Sequence, residues 1–306
     1  MALRFIGLKQ KTLRCYERAL KTFFDFLEEE NIRLPSKPRK LDECVAHFLE
    51  HLFLEDRPIT YAGHTLSAFR RFYPHLRYKF PLSREYFSNW KSVHVARQAV
   101  PLPPQALFAI AGVAIACSEF SYAAILLVGF LAFLRTSEMV HLKFSQVHVS
   151  TDGTIVLVLP SSKTSRDKPE SISVQDHRIA VLLSWLQTSA STDQIWNGSV
   201  PQFRAFLARF CEFLNLEDMN FSAYSIRRGG ASSAFLRGTS FDQLLVTGRW
   251  QSIKTARIYL DTGRAALIQQ SFSPRSTLLL HHFSSVVLSY CNQLRKRRLA
   301  STGSKC

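Results

Sequence analysis

The spacing of apolar residues along the chain predicts a mainly helical protein. Over residues 11–30, apolar side chains recur every three or four positions, while basic residues occupy much of the opposite face. Similar spacing predicts helices over 41–54, 60–73 and 83–93, the last with Ser83 as its N-cap. These segments predict a first, helical domain over residues 1–95.

A cluster of prolines in residues 96–104 predicts an extended linker, and a second domain follows it. The β-branched run 154–159 predicts a strand, 160–170 a polar turn, and 171–174 the returning strand of a hairpin. Further helices are predicted over 105–117, 120–134, 174–188, 200–215, 224–237, 242–246, 252–259 and 264–272. The expected fold is therefore mainly α with a small β-hairpin, in two domains.

Composition narrows the class of partner. The 306-residue chain carries a formal net charge of +16, which favours a polyanionic partner, nucleic acid before an anionic membrane. The most apolar run, 121–134, is too short to span a bilayer, so we expect no membrane association. The six cysteines form no C-x-x-C pair and no secretory signal is visible, which is typical of a reduced intracellular protein.

The residues that suggest a reaction lie between 224 and 259. The motif Tyr224-Ser225-Ile226-Arg227 opens a predicted helix, Gly248-Arg249-Trp250 forms a turn, and Tyr259 follows. A guanidinium can donate to two phosphate oxygens at once, and an indole N–H is one more fixed donor. A phenol is a plausible nucleophile because its oxygen can form a covalent ester. These side chains together indicate a site that binds and attacks a phosphodiester.

The ordered set resembles the second catalytic box of the tyrosine recombinases, the phage-integrase-like family. That box has His-x-x-Arg, then a His or Trp after a Gly-x dipeptide, then a Tyr about nine positions on. The segment Leu134-Arg135-Thr136-Ser137-Glu138-Met139 resembles the first box, in which an Arg enters the active site and a nearby acidic residue supports it. Arg-x-x-Glu at the end of a buried helix is also typical of a structural ion pair.

The resemblance implies a role for each residue. Tyr259 would attack the scissile phosphate and form a 3′-phosphotyrosyl link, while Arg135 and Arg227 bind the non-bridging oxygens. Trp250 would donate from its indole N–H or pack beneath the phosphate. The catalytic lysine on the predicted hairpin would be Lys163, with Lys168 as the second choice and a mobile surface lysine as the alternative for both.

The family's box usually begins with His, sometimes Lys, but here it begins with Tyr224. A phenol with an ordinary pKa of about 10 accepts a proton poorly at neutral pH, although it can still donate a hydrogen bond. We expect no metal and no other cofactor, because guanidinium groups would supply the positive charge and neither an acidic cluster nor a P-loop is visible.

The resemblance also implies the organisation of the chain. Residues 1–95 resemble the helical core-binding (SAM-like) domain, 105–275 the DNA breaking-rejoining catalytic domain, and 276–306 form a tail that is apolar and then basic. We expect the tail to dock on its own subunit or on a neighbour, and its basic end to contact phosphates, direct nuclear import or remain a solubilising end. In the first domain, contacts with double-stranded DNA are expected from Arg14, Arg18, Arg70 and Arg71. A solvated surface is the alternative for Arg14 and Arg18.

The leading hypothesis is site-specific recombination or integration of a mobile element, by DNA strand cleavage and rejoining in a tetramer on two sites. The alternatives are a non-cutting DNA-binding protein derived from a recombinase, and a type IB topoisomerase, which acts as a monomer. The location expected is intracellular and DNA-associated, in the nucleus if the host is eukaryotic.

Overall fold

The computed structural model describes residues 8–94, 98–160 and 169–303, with side chains as far as residue 297. The chain divides into two compact units, Met1–Arg97 and Gln98–Cys306. Each unit has its own apolar core. In the part of the chain that is described, no helix is both long and apolar enough to cross a membrane.

The first unit is a bundle of four helices around an aromatic core. The helices are α1 (Gln10–Glu29), α2 (Pro38–Leu54), α3 (Thr60–Phe72) and α4 (Pro81–Val93). The ring of Phe23 in α1 lies 5.3 Å from the rings of Phe48 and Phe69, edge to face in both cases. Such aromatic pairs add to the free energy gained by burying the rings. The apolar stripe of α1 therefore faces α2 and α3.

The helix starts in this unit differ from the prediction because prolines begin two of them. Pro38 and Pro81 occupy the first helical positions, where a missing N–H costs nothing. The predicted N-cap role of Ser83 is therefore wrong, since Ser83 lies inside α4 and is buried. Its hydroxyl donates to Asp42 of α2 at 2.6 Å, and the Asp42 carboxylate also accepts the backbone N–H groups of Leu82 and Ser83 at 2.9 Å. A carboxylate from another helix thus caps α4.

The second unit is helical with one small antiparallel sheet. Its helices are α5 (Pro104–Ala116), α6 (Phe120–Leu131), α7 (Thr136–Val140), α8 (His177–Thr188), α9 (Val200–Phe213), α10 (Ala223–Leu236), α11 (Phe241–Gly248), α12 (Ile253–Arg257), α13 (Thr262–Gln270) and α14 (Pro274–Gly303). The strands are β1 (Val147–Val149), β2 (Thr154–Leu159) and β3 (Glu170–Gln175), in the order β1-β2-β3. The helix predicted from residue 174 begins instead at His177, because Val174 pairs with Ile155 in the sheet and Asp176 caps α8.

Part of the predicted linker belongs to the second unit. Residues 101–103 are buried, and the Leu102 N–H donates to the Ser225 carbonyl at 2.9 Å. A Cβ at Gly229 would lie 2.0 Å from the Leu102 carbonyl oxygen, so the segment lies directly against the backbone of α10. Residues 95–97 lie outside the described part of the chain. The extended segment is thus a structural part of the second unit from residue 98 onward.

The segment predicted as a tail is helix α14, which packs on α5 and α8 of the same chain. It buries Leu280, Val287, Cys291 and Leu294 in the core of the second unit. At Gly112 of α5, an added Cβ would lie 1.9 Å from the Phe283 carbonyl oxygen, which shows how closely the two helices approach. Of the two docking alternatives left open by the sequence, the structure shows docking on the same chain.

Candidate active site

Helix α10 carries the candidate site and is buried along most of its length. Glycines and other small residues let its neighbours approach closely. A Cβ at Gly230 would lie 2.1 Å from the Phe130 carbonyl oxygen at the end of α6. This approach holds the turn after α6, which includes Phe133 in a left-handed conformation (φ 48°), against α10. Arg135 follows that turn directly, so the two predicted catalytic boxes meet here.

Arg227 lies at the centre of the site. Its side chain is 2% exposed, and its Nη1 and Nη2 donate to the carbonyl oxygens of Phe133 at 2.5 Å and Gly248 at 2.7 Å. Its Nε is buried and has no hydrogen-bond partner among the residues that the structure describes. Burial, followed by the nearby charge of Arg135, lowers the pKa of Arg227 to about 10, so the side chain is charged at neutral pH.

Four rings form what we call the aromatic stack: Phe133, Trp250, Tyr259 and Tyr224. Successive ring centroids are 6.1, 4.9 and 5.9 Å apart, with interplanar angles of 14°, 26° and 23°. The Arg227 guanidinium lies 5.1 Å from the Trp250 ring and 4.9 Å from the Tyr259 ring, within the range of cation–π attraction. The Trp250 Nε1 is buried and, within the described residues, unpartnered.

The two tyrosines of the stack are hydrogen-bonded to each other. The Oη atoms of Tyr224 and Tyr259 are 2.9 Å apart, and either hydroxyl can be the donor. Tyr224 is half exposed, and Tyr259 is partly buried. Burial, and then the hydrogen bond to Tyr259, raise the pKa of Tyr224. Tyr224 therefore keeps its proton at neutral pH, which makes it a donor rather than a base.

Arg135 is joined to Glu138, as the sequence motif suggested. Its Nη1 donates to Glu138 Oε1 at 2.8 Å, and its backbone N–H donates to Oε2 at 2.7 Å. Burial alone would raise the pKa of Glu138, but hydrogen bonds from Arg249 and Arg135 outweigh it and lower the pKa below its ordinary value. The side chain of Arg135 remains 36% exposed. The structural ion pair therefore exists, and it leaves Arg135 able to contact a ligand.

Sequence reasoning left two buried arginines out of the site. Arg249, whose side chain is 5% exposed, donates from Nη2 to Glu138 Oε2 at 2.8 Å. Arg228, 4% exposed, donates to Gln98 Oε1 at 2.7 Å and to Asp261 Oδ2 at 3.3 Å. Arg228 thus ties the start of the second unit to the segment after Tyr259. The only signal in the sequence was the position of each arginine beside a motif residue.

The other predicted residues are only partly described. Lys163 and Lys168 lie in 161–168, outside the described residues, so the lysine assignment stays a prediction. Arg14 and Arg18 on α1 and Arg70 on α3 are exposed, which suits contact with DNA but does not test it; Arg71, next to Arg70, is partly buried. No group of three or more His, Cys, Asp or Glu side chains suited to a metal ion occurs within the ranges that the structure describes.

No protein-family model matches the chain, and a search of curated proteins gives no match. Solved structures do match. The Tn1549 transposon integrase in complex with circular intermediate DNA has a TM-score of 0.60 at 10% identity, over 87% of this chain and 95% of that one. A lambda integrase dimer bound to a COC′ core site scores 0.58 at 15% identity, over 85% and 92%. The XerH site-specific recombinase bound to palindromic difH substrate scores 0.55 at 12% identity, over 84% and 78%.

These likenesses define the class of fold. The chain has the fold of the tyrosine recombinases, a mainly helical protein with a small three-stranded sheet in its second unit. The predicted resemblance and the predicted fold class are both confirmed. At 10–15% identity the comparisons establish the fold alone.

Proposed function

We propose that the protein cleaves and rejoins DNA strands through a covalent bond to Tyr259, as a site-specific recombinase. One observation carries the proposal: the Tyr259 ring lies between Trp250 and Tyr224, against the buried guanidinium of Arg227. Two buried donors beside it, Arg227 Nε and Trp250 Nε1, lack partners among the described residues. A buried donor without an acceptor costs free energy, and the oxygens of a phosphate would satisfy both donors.

The proposed chemistry exchanges one ester for another. The Tyr259 hydroxyl gives up its proton to solvent as its oxygen attacks the phosphorus, and the bond from the phosphorus to the 5′ oxygen breaks. That oxygen leaves as a free hydroxyl after it accepts a proton from a protein side chain. The DNA stays attached through a 3′-phosphotyrosyl ester, and attack by a 5′ hydroxyl restores the strand and releases the tyrosine. Because one phosphoester replaces another, the reaction needs no nucleotide to drive it. We assign the proton donation to Lys163.

The charge that develops on the phosphate oxygens would be stabilised by fixed donors. Arg135, held by Glu138 yet partly exposed, and Arg227, held by two backbone carbonyls, are both pre-oriented. Pre-oriented donors of this kind are worth about 2.7–4 kcal/mol each in the transition state. Tyr224 would donate to the nucleophile rather than accept its proton.

We further propose that double-stranded DNA is the partner and that the first unit contributes to binding it. The net charge of +16 and the exposed arginines on α1 and α3 support this, as does the binding of the three similar structures to DNA. One of those structures is a dimer on its DNA site, which supports assembly of several subunits. A tetramer on two sites is the assembly we propose, in an intracellular, DNA-associated location.

The direct test is capture of the covalent intermediate. Nicked duplexes tiled from the DNA that flanks the gene release a short fragment after cleavage, which prevents rejoining. The wild-type protein and the control Tyr290→Phe should form a protein–DNA adduct that survives denaturation, because Tyr290 lies on α14 against Phe120 and Trp185. Tyr259→Phe should bind the same DNA and form no adduct.

Each other outcome identifies an alternative. An adduct that persists in Tyr259→Phe means that the nucleophile is another residue. Tight DNA binding by a wild type that forms no adduct on any site favours the non-cutting DNA-binding protein. Relaxation of supercoiled DNA by a monomer, without strand exchange between two sites, favours the topoisomerase.

A further inference from the structure

We infer that Arg249 is a positioning residue for strand cleavage, acting on Arg135 through Glu138. The inference rests on the proposed function, because it assigns a role within the same site. The side chain of Arg249 is 5% exposed, whereas that of Arg135 is 36% exposed. The two arginines therefore have different roles: Arg135 can reach a phosphate, and Arg249 holds the carboxylate that orients Arg135.

The hydrogen bonds to Glu138 show how the orientation is fixed. Arg249 Nη2 donates to Oε2 at 2.8 Å, and the Arg135 backbone N–H donates to the same oxygen at 2.7 Å. The other oxygen, Oε1, accepts the Arg135 Nη1 at 2.8 Å. With Oε2 engaged twice, the carboxylate cannot rotate without breaking two charge-assisted bonds. The Arg135 guanidinium therefore takes its direction from a carboxylate that Arg249 immobilises.

The backbone of Arg249 has a conformation that glycine adopts more readily than arginine. It follows α11 with φ 54° and ψ 46°, a left-handed conformation that glycine adopts freely and most side chains disfavour. On its two sides, the Gly248 carbonyl accepts a hydrogen bond from Arg227 and Trp250 stacks on Tyr259. An arginine at a position that favours glycine indicates that its side chain is needed there.

A second carboxylate explains why the side chain has to be cationic. Glu170, the first residue of β3, places its Oε2 3.9 Å from Arg249 Nη1. Without Arg249, Glu170 would lose this cation and Glu138 would keep only Arg135, next to a site proposed for a phosphate. Like charges in a partly buried site repel strongly. Arg249 therefore both orients Arg135 and offsets the negative charge around it.

The test distinguishes the effect of the Arg249 side chain from that of its backbone conformation. Arg249→Gly keeps a residue suited to the turn and removes the side chain, whereas Arg249→Lys keeps the charge but loses the planar fork. For each variant we would measure the melting temperature, the DNA dissociation constant, and the single-turnover rate of adduct formation on a nicked duplex. Arg178→Met is the control, since Arg178 on α8 also pairs with a carboxylate at 2.7 Å, that of Asp176, which caps the same helix.

We expect Arg249→Gly to melt below the wild type, because it breaks a buried ion pair, but to stay folded at the assay temperature and to bind DNA with similar affinity. Its cleavage rate should fall about 10-fold to about 150-fold, the range for one lost charge-assisted hydrogen bond. Arg249→Lys should recover part of that loss, and the control should cut at the wild-type rate. The double variant Arg249→Gly with Glu138→Gln should be no slower than the slower single variant, because both act through one contact.

Two results would overturn the inference alone. One is cleavage by Arg249→Gly at the wild-type rate. The other is a loss of rate that matches a loss of folded protein and that Arg249→Lys does not reduce, which would make Arg249 a structural residue only. If the wild type itself forms no adduct, the proposed function fails as well, so the two failures are distinguishable.

Discussion

Replacing Tyr224 with phenylalanine removes one hydroxyl group and leaves the aromatic stack in place. That hydroxyl lies 2.9 Å from the Tyr259 hydroxyl, and the two rings remain able to stack at 5.9 Å without it. Burial and the hydrogen bond raise the pKa of Tyr224, so it is protonated throughout the neutral range. As Tyr259 attacks, its oxygen loses a proton and can only accept a hydrogen bond, which leaves Tyr224 as the donor.

The magnitude follows from the kind of hydrogen bond that is lost. A hydrogen bond to a charged group contributes about 1.5–3 kcal/mol net, and each 1.36 kcal/mol is a factor of ten in rate. Tyr224→Phe should therefore slow single-turnover cleavage about 10-fold to about 150-fold. The DNA dissociation constant should change little, because the phenylalanine ring keeps the packing and many phosphate contacts remain.

The assay is single-turnover cleavage of a nicked duplex by the wild type, Tyr224→Phe and Tyr224→His, from pH about 5.5 to about 8.5. If the position needs a donor, the His variant retains activity without exceeding the wild type. If it needs a proton acceptor, the His variant gains rate as pH rises through the ordinary imidazole pKa of about 6.5, where the ring becomes neutral. Wild-type rates in Tyr224→Phe, or a gain in the His variant, would refute the reasoning.

Three further predictions concern DNA binding and stability. Arg70→Gln should reduce the slope of log affinity against log salt by about 0.9, measured by fluorescence anisotropy; an unchanged slope would mean that Arg70 contacts no phosphate. Asp42→Ala should lower the free energy of unfolding of the first unit by about 2–4 kcal/mol, measured by urea denaturation. The reason is that the N–H groups at the start of α4 lose their cap and the buried Ser83 hydroxyl loses its acceptor. A change below about 1 kcal/mol would contradict this. Because the pKa of Glu138 is lowered, its carboxylate stabilises the fold above the ordinary glutamate pKa, and this stabilisation is lost as pH falls through the lowered value. Glu138→Gln should therefore flatten the acid side of the curve of unfolding free energy against pH.

Short-range patterns predicted the elements whose own residues decide their structure. Strand β2 occupies the predicted residues 154–159, because a run of β-branched and apolar side chains suits a sheet with few alternatives. The amphipathic spacing in residues 11–30 predicted α1 to within one residue at each end. In the site, Arg227, Trp250 and Tyr259 lie together because α10, α11 and α12 are joined by short turns. Their catalytic roles remain proposals.

Long-range contacts decided what the sequence could not show. Ser83 has the side chain of an N-cap, but a carboxylate forty-one residues earlier in the chain performs that role. Leu102 stands in a proline-rich stretch typical of a linker, yet α10 buries it through contacts made possible by Gly229. The charge of Arg249 suggests an exposed surface residue, and its burial depends on Glu138, which lies 111 residues away in the sequence. No local pattern carries that information.

The packing of α14 on α5 also sets the order in which the molecule can be completed during synthesis. Chains emerge from the ribosome at about 5–20 residues per second, and domains generally fold as units from the N-terminus. Among the described residues, the core of the first unit ends with Trp90. The second unit begins with α5, one of its most apolar helices, but the surface of α5 at Gly112 has no cover until Phe283 has been made. During that interval α5 exposes apolar surface, so chaperone binding and aggregation of nascent chains should concentrate there. A chain that stops before residue 294 should therefore give much less soluble protein than a full chain in which the basic residues of α1 are replaced.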